Sequence, residues 1–221
     1  MPYFSEDFIA FFKELSKNNS REWFEKNKQR YEESVKKPFY NFIEEIIHRI
    51  NMDDESINIT PKESIFRIHR DIRFSKDKTP YKIHAGAVIS PGGRKNYSLP
   101  GYYIQFSADD LRFYGGTYQI EIGQLQRLRE HITANLEEFE SLIKEKKFKR
   151  LFGQIQGEEN KRIPKEFNEA YRIQPLIVKK HFYFYTKFNP EIILSKALIK
   201  KFMGCYNTGR PLIDFFRAGV M

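Results

Sequence analysis

GYYIQFSADDLRFYGG, residues 101–116, places two strand-prone runs on either side of ADD (108–110). Asp109 and Asp110 suit the turn between them, because Asp side chains bond to nearby backbone and tolerate turn conformations. The stretch therefore reads as a β-hairpin, and antiparallel pairing becomes the organising feature of the fold.

Working outward, HAGAVIS (84–90) reads as another strand, followed by a turn at PGGRKN (91–96). HFYFYTKF (181–188) is strongly β-prone and stops at Asn189-Pro190. The first fifty residues have helical spacing instead. Ser5 suits an N-cap ahead of Phe8, Phe11, Phe12 and Leu15, and Asn19 with Glu22 resembles a capping box. The second helix would turn Trp23, Phe24, Tyr31 and Val35 inward, with Pro38 at a kink or in a following first turn. Phe39, Phe42, Ile43, Ile46, Ile47 and Ile50 then form an apolar stripe. Leu125, Leu128 and Ile132 mark a later helix, and Asn135 caps another. Two helices close the chain, around 194–202 and 211–218. Helices, then strands, then helices predict an α+β fold with a central, largely antiparallel sheet flanked by an N-terminal helical segment and C-terminal helices. With no repeat and no long linker, residues 1–221 are expected to form a single domain.

Hydrophobic residues at 40% and charged residues at 30% exclude both a disordered chain and a membrane-embedded one. A formal charge of +9 favours anionic partners: a small molecule such as a nucleotide or phosphorylated metabolite, nucleic acid, or acidic head groups. Lys-rich runs such as KEKKFKR (144–150) contribute to that charge as ordinary solvated surface, so local arrangement carries more information. Cys205 is the single cysteine, and the opening MPYFSEDFIAFFKEL lacks the features of a signal peptide. With no apolar run long enough to span a bilayer, the expected location is the cytoplasm, without a membrane partner.

The densest chemistry lies in FRIHRDIRFSKDKTPYKIH, residues 66–84. Phe66, Ile68, Ile72 and Phe74 alternate with Arg67, His69, Asp71 and Arg73, which predicts a strand with one polar and one apolar face. Arg70 interrupts the apolar face and needs a partner: Asp71, a distant Glu or a ligand. SKDKTPYK then supplies a turn through Asp77, Thr79 and Pro80. Arg67, Arg70, Arg73, Lys76, Lys78 and Lys82 are the candidate ligand-binding residues, since guanidinium and ammonium groups suit phosphate or carboxylate. Asp71, Asp77, Tyr81 and His84 are the candidate acid–base residues. Cross-strand Arg–Asp pairs also decorate ordinary sheets, so a purely structural role stands beside the functional one.

FRIHRDIRFSKDKTPYKIHAG, with SREWFEKNKQRYEE, LPGYYIQFS, GGTY and IPKEF in the same order, resembles the family called domain of unknown function 2461. The resemblance spans nearly the whole chain. Its recurring block falls on Arg70, Asp71, Arg73, Phe74, Ser75, Lys76, Asp77, Lys78, Pro80, Tyr81 and Lys82, and its Gly-Gly-x-Tyr element on Gly115, Gly116 and Tyr118. It implies a full-length domain and no activity. One position departs: Gln119 stands where the family's proline is expected.

Gly115-Gly116 reads as a bulge or tight strand exit rather than an oxyanion cradle. No Walker A loop, Rossmann fingerprint, HEXXH or paired CXXC motif is present. A metal shared by His69, Asp71, Asp77 and His84 is opposed by the neighbouring cations, so no metal is predicted, and no cofactor is assigned. Ser75 beside Lys76 and Lys78 has the makings of a nucleophile and equally of a loop cap. Tyr102, Tyr103, Phe106, Phe113 and Tyr114 suggest a stacking platform for bases, although an RRM signature is lacking.

The function expected from the sequence is an anion-binding domain for a phosphate-type ligand, with enzymatic action on a phosphorylated or nucleotide-like substrate left open. Arg70, Arg73 and Lys78 would then clamp the anion. The alternative is a noncatalytic nucleic-acid-binding or protein-interaction module. The first expectation requires the cations to face one shared hollow.

Overall fold

Four period-two runs become strands: β1 (His84–Ile89), β2 (Gly101–Ser107), β3 (Leu111–Thr117) and β4 (Phe182–Phe188). In this computed structural model, which describes residues 2–96 and 98–221, they form one antiparallel sheet in the order β1-β2-β3-β4. The β2–β3 turn depends on Ser107, whose Oγ accepts the amides of Asp109 and Asp110. Asp110 is thereby left to hold Arg112, with Nε donating to both carboxylate oxygens at 2.8 Å.

The helices are α1 (Glu6–Lys17), α2 (Arg21–Lys26), α3 (Lys28–Tyr31), α4 (Lys37–Asp53), α5 (Pro61–Ser64), α6 (Ile122–Ala134), α7 (Leu136–Lys144), α8 (Lys146–Phe152), α9 (Asn168–Ile173) and α10 (Leu198–Val220). The predicted α1 stripe of Phe8, Phe11, Phe12 and Leu15 is fully buried. Phe106 on β2 packs against Phe4, Phe8, Phe39 and Phe42 from the N-terminal segment. Phe202 of α10 contacts both Phe106 and Phe113. Each such burial contributes about 2–3 kcal/mol, so one face of the sheet is anchored firmly. Among the described residues no helix is long and apolar enough to cross a membrane.

Several expectations need correction. The segment after Phe66 is not a regular strand but an irregular arm. The Arg70 amide donates to the Pro80 carbonyl and the Lys82 amide to that of Ile68, both at 2.8 Å, with a single bridge between His69 and Tyr81. Pro80 has no N–H to return, so the ladder ends there. Ile68 is buried, but Phe74, expected to face inward, is 96% exposed at the tip.

The predicted second helix is divided into α2, α3 and a π-helical turn over Glu32–Lys36. That wider turn lies just before Pro38, whose missing N–H cannot serve the carbonyl four residues back. Ser20 rather than Asn19 caps α2, accepting from the Trp23 amide at 3.2 Å. Asn135 lies at the start of α7 without a side-chain cap bond. The two closing helices are one, because α10 runs through Pro211, and Thr208 donates to the Gly204 carbonyl within it instead of capping a new start.

Candidate binding groove on the open sheet face

The register sets Val88 against Tyr103, Tyr103 against Tyr114, and Tyr114 against Tyr185. Because side chains alternate, this row lies on the face opposite Ile104, Phe106 and Phe113. The core residues take the helices, and the tyrosine face carries a groove of about 740 Å³. Tyr103, Tyr114, Tyr118 and Tyr183 line it, together with Phe66 and Lys82 from the arm.

Gly86 makes room for one of these rings. A Cβ there would collide with the Tyr103 hydroxyl, so the ring lies across β1 only because residue 86 has no side chain. Burial among these neighbours pushes the Tyr103 hydroxyl up to about 12. Gly115 and Gly116 also border the groove, yet both remain paired with β2 and β4. Neither a bulge nor an exit occurs. Gly115 instead makes room for the Phe184 ring, and Gly116, at φ +134°, allows close approach of the Phe182 carbonyl. Gln119, at the far end, has φ +55°, the one positive value outside glycine among the described residues. Proline is fixed near φ −65°, so this backbone excludes the family's expected residue.

The electrostatics are one-sided, for no carboxylate lines the groove among the described residues. Lys82 Nζ donates to the Arg67 carbonyl at 3.0 Å and lies 5.2 Å from the Phe66 ring centroid. Burial and Arg67 lower its pKa. Burial, Lys82 and Arg112 together hold His84 at about 4, so its imidazole is neutral at pH 7. Its environment is positive before any ligand arrives.

On the other side of Phe66 and His84 lies a smaller hollow of about 330 Å³, bordered by Lys36, Lys62, Arg67 and Arg94. Lys36 is paired with Glu32 at 2.8 Å. No acidic residue lines this hollow either among the described residues. The two cavities share a wall.

Of the ten candidates read from the sequence, Lys82 and His84 border the groove and Arg67 and His84 the hollow. The rest lie elsewhere. Arg70 is half-buried and donates to Asp77, Thr79 and, at 3.4 Å, Ser75, which makes it the brace of the arm. Arg73 grips Asp71 through Nε at 3.0 Å and Nη2 at 2.7 Å. Lys78 donates to the Ile72 carbonyl at 2.9 Å, and Lys76 is exposed. Hydrogen bonds from Arg73 hold Asp71 at about 2, and those from the Thr79 amide and Arg70 hold Asp77 at about 2. Carboxylates so acidic are weak bases. Tyr81 is buried and stacks on Phe24 with centroids 4.0 Å apart. Its role in the fold is to seat the arm. Among the described residues no cluster of three or more His, Cys, Asp or Glu is placed to hold a metal ion.

Sequence reasoning missed Tyr183 and the cations Lys36 and Lys62, and it named Tyr118 and Gln119 without placing them at a groove. Tyr183 is an outward position on β4 and Tyr118 follows β3, whereas Lys36 ends the π-helical turn and Lys62 lies on α5.

A family model described as "Conserved hypothetical protein (DUF2461)" matches residues 7–215. The chain belongs to the DUF2461 family. No curated protein and no solved structure matches it. Both the braced arm and the Gly-Gly-x-Tyr element that borders the groove fall inside the matched DUF2461 span.

Proposed function

We propose that the tyrosine-lined groove binds a ligand combining a flat ring with a phosphate-type anion, a nucleotide-like molecule being the simplest example. The observation that carries this reading is the meeting of Tyr103, Tyr114 and Tyr183 with Lys82 in one groove that no carboxylate lines among the described residues. Tyrosine faces offer stacking surface at small entropic cost, and a partly desolvated ammonium gains most from an anion brought beside it. His84 is the one acid–base candidate at the groove. With a pKa near 4 it is a poor base at neutral pH, so the role supported is binding.

The experiment is calorimetric titration with AMP, adenosine and inorganic phosphate. AMP should bind more tightly than either fragment, and Lys82→Ala should weaken AMP while leaving adenosine nearly unchanged. Absence of AMP binding, or binding indifferent to both Lys82→Ala and Tyr114→Ala, would reject the site.

A further inference from the structure

The aromatic lining extends beyond the reach of one base. Tyr118 to Tyr183, Tyr183 to Tyr114, Tyr114 to Tyr103 and Tyr103 to Phe66 form a continuous path, with centroids 6.4, 6.3, 5.8 and 6.1 Å apart. The path crosses the sheet from the end of β3 to the arm, and past Phe66 it meets the hollow bordered by Lys62, Arg67 and Arg94. The ring planes are inclined to one another by 81°, 51°, 49° and 68° along the path, so bases laid on successive rings cannot lie parallel as in a duplex. Bases laid on these rings must therefore be unstacked from one another, as single strands permit and duplexes do not.

Resting on the reading of the groove given above, we infer that its ligand is a segment of single-stranded nucleic acid. Successive bases lie along the five-ring path, and the backbone phosphates run on to Arg67, Lys62 and Arg94. The net charge of +9 and the lack of acidic residues along both cavities among the described residues suit a polyanion. An uncharged protein segment docked on the same rings would have no use for the cationic hollow.

The test is fluorescence anisotropy with labelled oligouridylates of three, six and twelve nucleotides, a twelve-base-pair RNA duplex, and AMP as competitor. The hexamer should bind at least tenfold more tightly than AMP and than the duplex, with affinity falling steeply as salt is raised. Tyr118→Ala and Arg94→Ala alter exposed side chains. Each should weaken the hexamer severalfold; Arg94→Ala, which lies outside the groove, should leave AMP unaffected, with thermal unfolding confirming intact variants. AMP binding as tightly as the hexamer, or a duplex binding equally well, overturns the inference and leaves a nucleotide site. Failure of both AMP and oligomer overturns the two readings together.

Discussion

Asn19 and Tyr81, sixty-two residues apart, are joined as two strands would be: the Asn19 amide donates to the Tyr81 carbonyl at 2.9 Å, and the Tyr81 amide donates back to Asn19 Oδ1 at 3.0 Å. One side chain thus completes the backbone of the arm where no neighbouring strand is available. Tyr81, stacked on Phe24, fixes the position of the next residue, Lys82, at the groove.

Asn19→Ala should therefore cost about 2 kcal/mol of stability, since two partly buried bonds are lost and the Tyr81 amide is left unpaired. The urea midpoint reports this loss. Ligand affinity should fall as well, because Lys82 loses its anchorage, whereas replacing Asn18, whose side chain bonds only to the Glu14 carbonyl of its own helix, should leave ligand affinity unchanged.

Gly86 and Tyr103 are coupled by shape. Gly86→Ala forces the Tyr103 hydroxyl away and should lower stability by about 1 kcal/mol while narrowing the groove. The double variant with Tyr103→Phe removes the colliding oxygen but keeps ring carbons at 3.1 and 3.2 Å, and should recover part of both losses. A double-mutant cycle with no coupling would place the ring elsewhere.

The sheet was legible because alternation, turn residues and aromatic runs all agreed on the hairpin at 101–116. The arm was not. Its alternation imitates a strand, but Arg70 turns to Asp77 and Thr79, and the tip has no apolar surface on which to lay Phe74. Charge density in the sequence thus marked the element beside the groove rather than its lining. Lys82 and His84 were within reach because they lie where the arm joins β1. Tyr118 and Tyr183 depend on pairing between β3 and a β4 more than sixty residues later, which local spacing does not encode.

Arg70→Ala should loosen the arm tip without unfolding the core, since its partners all lie between residues 75 and 79. Limited trypsin digestion should cut the variant faster after Arg73, Lys76 or Lys78, with little change in the thermal midpoint. A large fall in that midpoint would instead make the arm part of the cooperative core.

His84 gives a pH dependence with a defined sign. The unfolded imidazole titrates near 6.5 and the folded one near 4, so between these values the unfolded state binds more protons. Its neutral burial is without penalty above pH 6.5. As pH falls from about 6.5 to about 4 the folded state loses stability relative to His84→Gln, and the difference levels off below that. Urea midpoints for both proteins at pH 7.5, 6 and 4.5 test this. An anion bound beside Lys82 should raise the His84 pKa, visible as a displaced imidazole NMR titration.

Gln119 carries a backbone conformation that its own residue type disfavours. At φ +55° a β-carbon crowds the following peptide, whereas glycine does not feel the restriction. Gln119→Gly should therefore raise stability by about 0.5–1 kcal/mol, about 1–4 °C in midpoint for a chain of this size. Gln119→Pro demands a φ more than 100° away. It should lower stability by about 2 kcal/mol or more and displace Tyr118 from the end of the aromatic path. Thermal scans of the two variants side by side decide the matter, because relief of strain and its enforcement must act in opposite directions at the same position.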